Sequence, residues 1–216
     1  MNRLGLIVQT FPGANEVLKR HWGQFLKAGA DEIIVATTTD GQCWAPEGAT
    51  VEMIGANIYI QSYHLPLRLL RCLQRLRDTK CDWFCVAEYD VLFFKNIPRD
   101  LPEGVTAHYA GGKPAGCHCN SFWHGPWIMD RETADTVVQV GYELIAAKTV
   151  DASPDCFLGQ IIDKTGIPVH SDILKSYSRN TIHGEKWTGE ARAAVDNGSV
   201  CVHGCKTQEC FDALTK

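Results

Sequence analysis

Apolar and polar positions along the first hundred residues alternate between two periods. Leu4 to Gln9 is an apolar run of strand length, followed by a turn at Pro12-Gly13. From Asn15 to Lys27, Val17, Leu18, Trp22, Phe25 and Leu26 recur at helical spacing, and the pattern stops before Gly29. Glu32 to Thr37 predicts a second strand, ending at Thr38-Thr39-Asp40-Gly41, and Thr50 to Ile54 a short third one. Pro66 to Arg77 sets Leu69, Leu70, Leu73 and Leu76 on one helical face, with Arg68, Arg71, Arg75 and Arg77 around it. Trp83 to Ala87 is again a continuous apolar run. The order β-α-β-β-α-β predicts an α/β chain with a mostly parallel central sheet and helices on both faces.

The second half is less regular. Gly104 to Ala110 predicts a strand and Gly111 to Asn120 a glycine-rich loop. Arg131 to Lys148 predicts a helix on Val137, Val138, Val140, Leu144 and Ile145. Pro154 to Lys164 predicts another, with proline near its start and Gly166 at its end, as helix termini prefer. Asn180 to Asn197 is polar and predicts loop, Ser199 to His203 a late strand, and Gln208 to Leu214 a short final helix. Without internal repeat, low-complexity tract or linker, residues 1–216 are expected to form one domain.

Composition narrows the class. Hydrophobic residues at 45% and charged residues at 21% are ordinary for a globular chain. A net charge of −4 and a pI near 6.0 give no global attraction to nucleic acid or anionic membrane. No apolar segment approaches the ~20 residues of a membrane span, and the apolar part of the N-terminus is too short for a signal peptide. The expectation is a soluble, cytoplasmic protein. Ten cysteines are too few for a disulfide scaffold of this length. Cys72, Cys81, Cys85 and Cys156 sit in apolar contexts, where a buried thiol is the default. Two clusters remain: Cys117-His118-Cys119 with His124, and Cys201-x-His203-x-Cys205 with Cys210. They offer soft ligands for a structural zinc site, although no C-x₂-C pair is present.

The chemistry concentrates where the Trp83 run ends in Glu88-Tyr89-Asp90 before returning to Val91-Leu92-Phe93-Phe94. Desolvating an unpaired carboxylate costs several kcal/mol, and a bound cation is the simplest compensation. Alternate residues of an extended segment point the same way, so both acids can address one ion. Hard divalent ions favour oxygen ligands and complete their shell with substrate phosphates. In open α/β sheets ligands bind beyond the carboxyl ends of the strands, where Thr38, Asp40, Glu88 and Asp90 all fall. Plainer readings exist for each residue: Glu88 and Asp90 as a turn pair facing the arginines, Asp40-Gly41 as a turn, His203 as a core histidine, and Asp155 as a helix-start charge. The Arg68, Arg71, Arg75, Arg77 and Lys80 series then reads as a solvated helix face.

With Glu88-Tyr89-Asp90 in the place of a D-x-D motif, the chain resembles glycosyltransferases of the GT-A fold, a Rossmann-like architecture that binds nucleotide-sugars. Ser121-Phe122-Trp123-His124-Gly125-Pro126-Trp127 resembles the family's loop against donor and acceptor. Ser153-Pro154-Asp155-Cys156-Phe157-Leu158-Gly159 resembles the acidic motif opening a helix near the reaction centre, and Cys201-Val202-His203-Gly204-Cys205-Lys206 the C-terminal histidine segment. The resemblance spans roughly residues 4 to 206, with two departures: Glu stands in the first acidic position, and Asp155 follows Pro rather than a second acid. It implies Asp90, His203 and Glu88 as ligands of Mn²⁺ or Mg²⁺, the nitrogen favouring Mn²⁺. It implies Lys206 on the diphosphate and Glu88 in the metal shell or on the ribose; Thr10, Thr38, Asp40, Arg71 and Gly125 are the further candidates for the donor site. Asp155 becomes the catalytic residue, as general base or as acceptor-positioning group.

The resulting expectation is a metal-dependent, hexosyltransferase-like enzyme moving a sugar from a nucleotide-sugar, a UDP-sugar by resemblance, to a hydroxyl of a glycan, small molecule or other acceptor. Two alternatives accompany it. One is the same transfer onto hydroxymethylated bases in DNA, with the Arg68 to Lys80 helix on phosphates and Trp123 and Trp127 stacking on an extruded base. The other is a non-catalytic nucleotide- or sugar-binding module, or a zinc-stabilised interaction domain.

Overall fold

The four strands expected between Leu4 and Ala87 all form, and they belong to one sheet. The computed structural model describes residues 2–39, 41–55, 64–112, 118–150, 153–178 and 185–216. In it the four strands are β1 (Leu4–Gln9), β2 (Glu32–Thr37), β3 (Thr50–Met53) and β4 (Trp83–Glu88). Helix α1 (Asn15–Phe25) follows β1 and α2 (His64–Arg77) follows β3. The chain continues through β5 (Leu92–Phe93), β6 (Val105–Gly112) and β7 (Ser121–Asp130), then α3 (Arg131–Ala146) and α4 (Pro154–Thr165). It ends with β8 (Val169–His170), β9 (Tyr177–Ser178), α5 (Glu185–Asp196), β10 (Cys201–His203) and α6 (Gln208–Thr215).

Seven strands lie in the order β3-β2-β1-β4-β7-β6-β8. β3, β2, β1 and β4 pair in parallel, β7 is antiparallel to both β4 and β6, and β8 is parallel to β6. β7 alone is reversed, so the sheet is mostly parallel, as the element order predicted. β1 and β4 are buried on both faces. Leu4, Leu6, Val8, Trp83, Cys85 and Ala87 meet Leu18 and Phe25 of α1. Ile7, Phe84 and Val86 meet Leu69, Leu70 and Leu73 of α2, Val137 and Val138 of α3, and Phe157 and Ile161 of α4. Strands covered on both sides need apolar residues at every position, and each large buried side chain contributes roughly 1.5–3 kcal/mol.

Two segments differ from expectation. Ser121 to Trp127, expected as a loop, is the first part of β7, and Gly125-Pro126 is a cis peptide inside it. Proline is tolerated there because the ladders skip it. Pairing with β4 stops at Trp127, and the β6 register jumps from Thr106–Ile128 to His108–His124. The polar stretch 180–197, expected as loop, contains α5, whose Ala191 is buried against Leu92, Val202 and Leu214. Only a narrow apolar stripe was needed, and the intervening polar positions masked it.

A second, small sheet of order β5-β10-β9 closes the C-terminal edge. Helix α4 is drawn tightly onto β7 at Gly159, where a Cβ would stand 2.0 Å from the Ser121 carbonyl oxygen. That close approach seats the first turn of α4, and with it Asp155, at the same edge. Among the described residues no helix is long and apolar enough to cross a membrane.

Candidate metal centre and active site

β4 carries Glu88 to the C-terminal edge of the sheet, in register with Gln9 of β1. There the strand ends. The chain turns, with the Val91 N–H bonded to the Glu88 carbonyl at 3.1 Å, and Asp90 lies in the turn. The two acids therefore do not share one extended strand; a turn brings them towards a common point. That point is supplied by the small sheet. β5 and β10 are antiparallel, with Phe93 opposite Cys201 and Leu92 opposite Val202. Continuing this register sets the turn before β5 against the segment after Val202, and the Cys205 N–H donates to the Asp90 carbonyl at 3.1 Å. Gly204, at φ 95°, supplies the left-handed bend that lets the chain leave β10 there.

The side chains converge accordingly. His203 Nε2 lies 3.0 Å from Glu88 Oε2 and 3.3 Å from Asp90 Oδ1. One ligand atom from each of the three residues lies within 4.8 Å of the others. Lys206 Nζ is 3.5 Å from Asp90 Oδ2. Asp90 is only 1% exposed, so its charge is met by the His203 ring and the Lys206 ammonium rather than by solvent. A buried carboxylate in this state requires nearby positive charge.

The electrostatics agree with that requirement. Burial opposes ionisation of Asp90, but the charge and hydrogen bond of His203, then Lys206, outweigh it and hold the carboxyl below its ordinary range. Burial likewise opposes the His203 imidazolium, yet Asp90 and Glu88 keep its pKa well above the ordinary value. Lys206 is raised in the same way, burial being outweighed chiefly by Asp90. In the absence of a cation, protonated His203 occupies the charge position between the two acids. Two carboxylates and an imidazole suit a divalent ion, and the nitrogen shifts preference from Mg²⁺ towards Mn²⁺. Donor separations near 3 Å are those of adjacent ligands around an ion bonded at ~2.1 Å. The group could hold a metal ion.

Asp155 stands across this centre in the first turn of α4. Its pKa is raised to about 7, first by burial and then by the Glu88 charge, against the pull of His203 and the Ser153 hydrogen bond. Its Oδ2 is 3.9 Å from Nε2 of His124, a buried β7 residue whose ring meets His203 edge-on at 5.7 Å. A carboxyl poised near neutrality beside a charged centre has the properties of a general base.

A cleft beside Glu88 is lined by Gln9, Phe11, Leu65, Arg68, Tyr89 and Pro154. Thr10 and Thr38 directly follow β1 and β2. Both are buried, and their hydroxyls have no hydrogen-bond partner among the described residues. Arg71 lies away from the acids, its Nη1 donating to the Ile54 carbonyl at 2.9 Å. Gly125 sits within β7 against the Trp127 ring. Asp40 lies outside the described residues. The structure thus brings Glu88, Asp90, Asp155, His203 and Lys206 together, with Thr10 and Thr38 at the adjoining strand ends.

Two contributors escaped the sequence reading. Arg68, taken as part of a solvated face, is 5% exposed and bonds the Thr10 carbonyl at 3.2 Å. It lies in the first turns of α2, against the end of β1, a contact that the sequence does not record. His124 was expected as a zinc ligand or as a member of the Ser121–Trp127 segment, with no role of its own beside Asp155. As for that cluster, Cys117 lies outside the described residues, Cys201 is buried in the core beside Cys85, and Cys205 and Cys210 contact each other. Among the described residues, the Glu88, Asp90 and His203 group is the one with metal-ligand convergence. No protein-family model matches the chain, and no curated protein shows significant sequence similarity to it.

Proposed function

We propose that the protein is a metal-dependent glycosyltransferase that moves a sugar from a nucleotide-sugar, a UDP-sugar by family resemblance, to a hydroxyl acceptor. The observation that carries this reading is the convergence of Glu88, Asp90 and His203, with Lys206 beside them, at the carboxyl edge of a parallel sheet. Rupture of the bond between an anomeric carbon and a diphosphate leaves negative charge on the phosphates. A divalent ion in this centre would supply the matching positive charge. Lys206 adds a second cation at the same place, preorganised by Asp90. Asp155, ionised above a pH of about 7, accepts the proton of the acceptor hydroxyl. Gln9 and Arg68 line the neighbouring cleft and offer polar contacts to the donor.

The DNA-modifying variant has less support. Arg71 is engaged with the Ile54 carbonyl, Arg75 with Glu52 and Arg77 with Asp135, which reduces the charge available for phosphates.

Thermal denaturation with Mn²⁺ and a panel of nucleotide-sugars tests the proposal. A donor at 100 times its Kd adds about 2.7 kcal/mol, a shift of roughly 5–10 °C for a chain of this size. The shift should require Mn²⁺ and vanish in Asp90→Asn, which should retain its fold and lose donor hydrolysis and transfer together by at least about 100-fold. Unchanged nucleotide affinity in Asp90→Asn, with no turnover by the parent protein, would instead identify a binding module.

A further inference from the structure

Cys205 and Cys210 flank the turn that leaves β10, and neither has a part in the chemistry above. Both are buried, and their sulfurs are 2.8 Å apart. That is closer than two unbonded sulfurs ordinarily approach and within about 0.8 Å of a disulfide bond length. The backbone on each side is already held. The Cys205 N–H donates to the Asp90 carbonyl at 3.1 Å, and the Cys210 N–H to the hydroxyl of Thr207, the N-cap of α6, at 3.2 Å. Leu92, Ala191, Val202 and Leu214 pack around the two thiols. Between them lies Lys206, and His203 is two positions before Cys205.

We propose that Cys205 and Cys210 form a reversible disulfide that staples the loop carrying His203 and Lys206 to helix α6. The reaction is thiol–disulfide exchange with a small-molecule disulfide such as oxidised glutathione. One exchange joins a protein thiol to half of the reagent, and the second protein thiol displaces that half. The two cysteines lose two electrons and two protons, and the reagent leaves as two thiols. Both sulfurs are buried, so the reagent reaches them when the segment opens locally; on reclosure they are adjacent, and the bond fixes the loop in the geometry described. Under reducing conditions the bond opens, leaving the loop held by its hydrogen bonds alone. The effect on cation binding rests on the metal-centre reading; formation of the bond does not.

The full-length chain is equilibrated in oxidised or reduced glutathione and digested with trypsin. Cleavage after Lys206 falls between the two cysteines, so the staple appears as a peptide ending at Lys206 linked to one beginning at Thr207. The oxidised form should melt about 5 °C higher, exchange its Gly204 to Thr207 amides more slowly, and bind Mn²⁺ roughly threefold more tightly. Cys210→Ser and Cys210→Ala should show none of these responses. Absence of the linked peptides in excess oxidised glutathione would overturn the proposal. So would linked peptides with unchanged amide exchange, or an equal rise in melting temperature in both Cys210 variants. Linked, protected protein that ignores Mn²⁺ in both redox states upholds the staple and removes the metal-centre reading.

Discussion

Asp155 concentrates the chemistry of the site in one ionisation. Burial and the Glu88 charge raise its pKa to about 7, while His203 pulls the other way. A general base acts in its ionised form, so the transfer rate should rise as pH passes through about 7 and then level off. Under the proposed function a cation at Glu88 would weaken the repulsion that raises Asp155, so with metal bound this limb should sit at or below that point. Under the proposed function Asp155→Asn would remove the base, and a 10²- to 10⁴-fold loss of kcat, roughly, is expected with donor affinity nearly unchanged. A rate profile flat between pH 5.5 and 8.5 would refute the assignment. Glu88 and Asp90 could be singled out from the sequence because charged residues interrupt an apolar run. Arg68 could not be, because a helical arginine series reads as a solvated face until the strand against which it packs is known.

Elements position these residues through a few close contacts, and two substitutions separate their effects. Asp130 caps α3, accepting hydrogen bonds from the Thr133 N–H at 2.8 Å, the Thr133 hydroxyl at 2.6 Å and the Gly104 N–H at 2.8 Å. Asp130→Ala should cost about 2 kcal/mol, measured by urea unfolding, and leave Mn²⁺ binding intact, since it acts at the far end of β7. Gly159→Ala drives a methyl into the Ser121 carbonyl. It should cost about 3 kcal/mol and also lower transfer activity beyond its effect on stability, because α4 carries Asp155. Equal activity losses in the two variants would contradict this division. The legibility of elements follows the same physics. β1, β2 and β4 were evident because central parallel strands carry apolar residues at nearly every position. β7 was concealed by Gly125-Pro126, which ordinarily punctuates a loop, and two-residue strands such as β5 and β9 are too short for any periodicity.

At the scale of the whole molecule, α1 and α6 meet through His21. The ring is fully buried, bonds the Tyr89 carbonyl through Nδ1 at 3.1 Å, and stacks on Phe211 at 5.3 Å. Burial lowers its pKa to about 4, although the Tyr89 carbonyl opposes the shift. In the unfolded chain the ring titrates near 6.5, so as pH falls the unfolded state binds the proton first. Stability is intact above about pH 6.5 and declines towards pH 4, by about 3 kcal/mol from this group. Urea midpoints at pH 7.5, 5.5 and 4.5 check the sign: His21→Phe should be less stable at pH 7.5 yet lose less on acidification. Parallel losses in the two proteins would rule it out. The convergence itself was the least legible part of the molecule, because the register of β5 on β10 joins segments over a hundred positions apart and no local pattern records it.

That pairing also sets the order in which the protein can mature. Glu88 and Asp90 leave the ribosome long before His203 and Lys206, and every strand of the seven-stranded sheet precedes β10 in the chain. A growing chain can therefore complete its main scaffold while its acidic pocket still lacks both the imidazole and the ammonium group. The candidate metal centre is then assembled only after β10 has been made and has docked on β5.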